Sequence, residues 1–80
     1  MPTVFTQNGF RFFFYSNEGD PREPIHIHVR KGGAEAKIWL HPKLSVARNS
    51  GFDGKTIRSL LNLTQEKSDE ITHVWHSYFG

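Results

Sequence analysis

Residues 25–40 read Ile-His-Ile-His-Val-Arg-Lys-Gly-Gly-Ala-Glu-Ala-Lys-Ile-Trp-Leu, and the fold turns on them. Gly32-Gly33 separates two alternating runs, the pattern of a two-residue β-hairpin loop. Closing that loop pairs Lys31 with Ala34 and sets every later pair. Val29 then faces Ala36, Ile27 faces Ile38 and Ile25 faces Leu40, which makes one side wholly apolar. On the other side Arg30 faces Glu35, His28 faces Lys37 and His26 faces Trp39. A slip of one residue would mix apolar and polar partners on both sides, so this register is strongly preferred. The opposite charges of Arg30 and Glu35 support it modestly.

A second hairpin lies upstream. Asn8-Gly9 suits a type I′ turn, whose two central residues need positive φ. A two-residue loop there pairs Gln7 with Phe10, Thr6 with Arg11, Phe5 with Phe12 and Val4 with Phe13. The run Phe10–Tyr15 is apolar on both faces, so it is expected to be a central strand covered on both sides. Residues 17–24, with Gly19, Pro21 and Pro24, read as a loop. Downstream, residues 43–50 have room for a short edge strand. Asp53 is the expected N-cap of a helical region. Ile57, Leu60, Leu61, Thr64, Ser68, Ile71, Val74, Trp75, Tyr78 and Phe79 recur at steps of three and four, one amphipathic stripe. Residues 62–65 are its weak point, where a single helix would bend or a pair would break. The expected architecture is a single α+β domain over residues 1–80, β-rich over 1–50 and helical over 53–79. An antiparallel sheet of two hairpins, with four to five strands, packs against a C-terminal helix or helix pair.

A chain of 80 residues buries only about 60% of its unfolded surface. A core this thin leads to the expectation of a homodimer or a protein partner. There is no cysteine, hence no disulfide and no thiolate metal site. The longest apolar run, Phe12–Tyr15, falls far short of the roughly 20 residues of a membrane span. The first residues lack the pattern of a signal peptide. A cytoplasmic protein without membrane contact is the expectation. The net charge of +2 is unevenly spread. Residues 25–58 carry Arg30, Lys31, Lys37, Lys43, Arg48, Lys55 and Arg58 against Glu35 and Asp53, while the flanking segments are mildly acidic. A basic middle suits a polyanion or an acidic partner.

Strand alternation points His26, His28 and Arg30 the same way. With Lys37, Trp39 and Arg48 they form the candidate nucleic-acid or anion-binding face: cations for phosphates, rings for bases. Two imidazoles at this spacing can also hold a divalent ion, with His41 or His76 as a third ligand. Lys37 and Arg30 oppose a dication, so neither metal nor cofactor is expected. A third reading makes His26 and His28 the catalytic pair of a metal-independent nuclease, since imidazole titrates near neutral pH. Nothing in the sequence demands turnover. A fourth is structural, with His26 packed on Trp39. The ending His-Val-Trp-His-Ser-Tyr-Phe-Gly, residues 73–80, is expected to pack helix on sheet through Trp75 and Phe79. Exposed His26 and His28 are what the site readings require.

Three motifs span the chain: Glu23-Pro24-x-His26-x-His28-Val29, Arg48-Asn49-x-Gly51-Phe52 and Trp75-x-x-Tyr78-Phe79. Together they resemble the small bacterial family known as domain of unknown function 4160. His41 departs from the acidic residue more common at that place in sequences of this kind. The resemblance implies a compact α+β domain, often encoded beside another very small gene in the manner of toxin–antitoxin or regulatory pairs. It brings no established activity. The expected function is therefore a small module that binds a partner protein, a small one encoded nearby, and RNA or DNA through the His/Trp strand face. The alternatives are the nuclease and a purely protein-binding domain.

Overall fold

Asn8 and Gly9 adopt φ values of 55° and 82°, the positive angles that the upstream turn needs. The two strands they join are β1 (Thr3–Gln7) and β2 (Phe10–Phe13) in a computed structural model that describes residues 2–16 and 23–80. The loop expected over 17–24 therefore falls largely outside the described residues. The strands β3 (His26–Lys31), β4 (Ala34–Trp39) and β5 (Ser45–Ser50) complete one antiparallel sheet in the order β1-β2-β3-β4-β5. Helices α1 (Gly54–Glu66) and α2 (Ser68–Phe79) follow.

The β3–β4 register is the expected one, from Lys31 opposite Ala34 to His26 opposite Trp39. The Leu40 amide continues it by donating to the Ile25 carbonyl at 2.9 Å. The β1–β2 register departs at one place. Gln7, Thr6 and Phe5 face Phe10, Arg11 and Phe12, but Thr3 rather than Val4 faces Phe13. A bulge absorbs one residue, as is common on edge strands. The expectation that Phe10–Tyr15 is covered on both sides holds where it matters, because Phe12, Phe13 and Phe14 are all fully buried.

Phe12, Phe14, Ile27, Val29 and Ile38 meet Leu60, Ile71 and Trp75 in one core between sheet and helices. Each such side chain contributes about 1.5–3 kcal/mol by leaving water. Trp75 is wedged edge-on against Phe14, with ring centres 5.2 Å apart, and lies 4.4 Å from Phe79. Asp53 caps α1 by accepting the Thr56 amide at 2.7 Å, and that bond holds its carboxyl below the ordinary value. The helical stripe breaks at Lys67, slightly later than residues 62–65. The break is shallow: the Lys67 amide still bonds the Leu63 carbonyl and its carbonyl accepts from Ile71. Just upstream, the buried Thr64 hydroxyl donates to the Leu60 carbonyl at 2.7 Å, a bond that tends to bend helices. Tyr78, at the margin of the stripe, stays 47% exposed. No described helix is long and apolar enough to cross a membrane.

Leu60→Ala should lower stability by about 2–5 kcal/mol in urea unfolding, the range for an aliphatic side chain deleted from a packed core. Val46→Thr, on the open edge of the sheet, should change it by less than about 0.5 kcal/mol.

Candidate functional site

The hairpin register and the β4–β5 ladder together bring all six expected face residues to one side of the sheet. His26 stands opposite Trp39, His28 opposite Lys37, and Lys37 in turn opposite Arg48 on β5. Arg30 pairs with Glu35 on one side and with Arg11 of β2 on the other. Phe13 joins the same face opposite His28. Ile27, Val29 and Ile38 point the other way, into the core beneath the helices.

Alternation sets the direction of a side chain but not its exposure, and the structure covers both histidines, with His26 packed on Trp39 as the structural reading has it. His26 is 0% exposed and His28 2%. Aromatic rings cover them. Phe13 stacks on His28 with centres 5.6 Å apart, and Tyr15 meets its edge at 4.5 Å. His26 touches His28 at 5.2 Å, Trp39 at 5.3 Å and Trp75 of α2 at 5.1 Å. The histidine side of the sheet is thus a second, smaller packed layer, tied to the helices through Trp75. His26 Nδ1 lies 2.9 Å from the Pro24 carbonyl. A carbonyl only accepts, so this nitrogen carries the proton, and the tautomer of the neutral ring is thereby set.

A charged network overlies these rings. Arg30 donates through Nη2 and Nε to Glu35 Oε1 at 2.7 and 3.1 Å. The Tyr15 hydroxyl donates to Glu35 Oε2 at 2.9 Å and accepts from Arg30 Nη2 at 3.1 Å. His28 Nδ1 lies 3.8 Å from the same carboxylate. Partial burial pushes the Glu35 carboxyl up, but the bonds from Arg30 and Tyr15 outweigh it, and its pKa ends below the ordinary value. Tyr15 titrates above its ordinary range, first through loss of water and then through the neighbouring carboxylate. The bond to Glu35 raises Arg30 further still. Lys37 donates to Glu23 at 2.9 Å and sits 4.4 Å above the Trp39 ring. Arg11 and Arg30 lie over the Phe13 ring at 4.6 and 5.3 Å.

The outermost groups of this face are cationic. Arg48 is exposed, and Arg30, Lys37 and Trp39 are partly so. A general acid or base must come within hydrogen-bond reach of its substrate. Rings as deeply covered as His26 and His28 offer no such approach in this structure, so they support the face from below. Among the described residues no group of three or more histidines and carboxylates is placed to hold a metal ion. His41, His73 and His76 are exposed and lie on the β4–β5 connection and on α2. Arg11, Phe13 and Tyr15 did not emerge as site residues from the sequence. Their signal was the alternation Arg11-x-Phe13-x-Tyr15, which acquires meaning only once β2 is known to lie beside β3.

A family model described as "Domain of unknown function (DUF4160)" matches residues 9–76. No curated protein and no solved structure gives a match.

The depressed Glu35 pKa has a stability consequence with a definite sign. Its contribution is complete above the ordinary value of 4.5 and is lost as the pH falls through the lower folded-state value. Glu35→Gln should therefore be less stable than the unmodified protein near neutral pH. The gap should narrow on acidification below 4.5, as followed by urea unfolding across an acid pH series.

Proposed function

The chain belongs to the DUF4160 family, and from the geometry of its outer sheet face we propose that it is a small binding module for single-stranded nucleic acid. One observation carries this reading: like charges are direct cross-strand partners twice on that face. Arg11 stands opposite Arg30, and Lys37 opposite Arg48. Like charges directly opposite one another on a sheet destabilise it. Among the described residues the carboxylates beside them are Glu35, bound by Arg30, and Glu23, bound by Lys37. Among the described residues Lys37 and the exposed Arg48 thus set two cations side by side where the fold alone would favour mixed signs. A run of phosphates would relieve their repulsion, and counterion release would drive the binding.

The part-exposed Trp39 ring, flanked by Lys37, supplies a stacking surface for a base. Within this reading His26 and His28 act indirectly, holding Trp39 and Phe13 in place, while Arg30, Lys37 and Arg48 meet the ligand. A protein partner, the small neighbouring gene product of a toxin–antitoxin-type pair in a bacterial cytoplasm, belongs to the same proposal. It rests on the family resemblance. A pull-down with that product, with and without nuclease, separates direct protein contact from a nucleic-acid bridge.

Affinity for a labelled single-stranded RNA or DNA should fall steeply with salt. Arg48→Gln should weaken it on all sequences and flatten the slope of log affinity against log salt by about 0.7, the value for one phosphate contact on a single strand. Trp39→Phe should abolish most of the fluorescence quenching on binding, because Trp75 is buried and remote from the solvent. A flat salt response, or no binding at low salt, overturns the proposal.

A further inference from the structure

We propose that the free edge of β5 takes up an extended strand of a partner protein in which acidic and apolar side chains alternate. Among the described residues the sheet ends at β5, so one side of its main chain faces no neighbouring strand. Such an edge is a ready template for strand addition, with main-chain hydrogen bonds for affinity and alternate side-chain positions for specificity. Those positions differ in chemistry on the two faces. On the outer face Arg48 is exposed beside Lys37. On the helix face Val46 pairs with the core residue Ile38 yet remains 37% exposed, because the helices do not fully cover this margin. Two residues before Val46, Leu44 lines a cleft of about 330 Å³ with Leu40 and His41 on the sheet side and Gln65, Ser68, Asp69 and Thr72 on the helices, a mixed lining that lies outside the strand-addition site. An added strand would set its acids beside Arg48 and its apolar residues over Val46.

A second copy of this chain fits poorly on the same edge. β5 carries Arg48 and no acidic residue, so antiparallel pairing of β5 with itself offers Arg48 no opposite charge in any register and sets like charges together where Arg48 meets Arg48. The other edge is less suited to an acidic strand. β1, Thr-Val-Phe-Thr-Gln, carries no charge, and its Phe5 is already stacked on Phe12 at 4.3 Å with Lys67 above the ring.

The probe is a short labelled peptide alternating Glu and Val, titrated into the full chain and followed by amide NMR. Saturable shifts centred on Ser45–Ser50 are expected, and they should be lost when alternate peptide amides are N-methylated. They should also be lost with a Lys-Val peptide and with Val46→Glu. The dispersion of that variant's own amide spectrum reports that it is folded. No shifts on β5, equal binding of the Lys-Val peptide, or indifference to N-methylation overturns the proposal. So does sedimentation showing the edge already closed by a second copy. None of these outcomes bears on the outer-face reading, which fails separately if the oligonucleotide does not bind.

Discussion

The register of β3 on β4 is the constraint from which the other features follow. Side chains on a strand repeat every two residues, so a slip of one position would send Ile27, Val29 and Ile38 to the face now holding His26, His28 and Lys37. With the register set, three apolar side chains meet Leu60, Ile71 and Trp75, and the helices have one place to dock. The same register puts Glu35 beside Arg30 and Lys37 beside His28, and the neighbouring β4–β5 ladder adds Arg48 opposite Lys37. Core and candidate site are two readings of one ladder.

β3 is unusual in burying both of its faces while only one is apolar. Its polar side succeeds because the imidazoles are amphipathic: their rings pack on Phe13, Tyr15, Trp39 and Trp75, and one nitrogen of each has a polar neighbour. His26 Nδ1 donates a hydrogen bond to the Pro24 carbonyl, and His28 Nδ1 lies 3.8 Å from the Glu35 carboxylate, an electrostatic contact rather than a hydrogen bond. A buried polar group without such company would cost about 1–3 kcal/mol. The spacing His-x-His, which invites a metal or catalytic reading, here serves a packed aromatic layer. The chemistry open to solvent passes to the residues above it, Arg30, Lys37, Trp39 and Arg48.

Much of the fold was legible because it rests on local rules. Asn8-Gly9 and Gly32-Gly33 announce their hairpins, Asp53 announces its helix, and the three-four stripe from Ile57 to Phe79 announces the face that docks. The β1 bulge was not legible, since pairing Val4 or Thr3 with Phe13 differs little in local pattern. The helix break fell at Lys67 rather than within 62–65, where a back-bonded Thr64 had no visible mark. Of the site, His26, His28, Arg30, Lys37 and Trp39 and their pairings across β3 and β4 could be derived, whereas the place of Arg48 opposite Lys37 depends on β5 lying beside β4. Their exposure could not, because it depends on Phe13 and Tyr15 from β2 and on Trp75 from α2, far away along the chain.

The sequence by itself determined which residues share a face, through the two-residue period and the turn chemistry that starts the count. Those are properties of neighbours along the chain and need no third element. Only the tertiary structure decided what lies over each face. Burial is a property of everything that packs against a strand, and the order β1-β2-β3-β4-β5 brings β2 beside β3 and, among the described residues, leaves β5 without an outer neighbour. That one arrangement closes the histidines from solvent and leaves Arg48 and Val46 open to it.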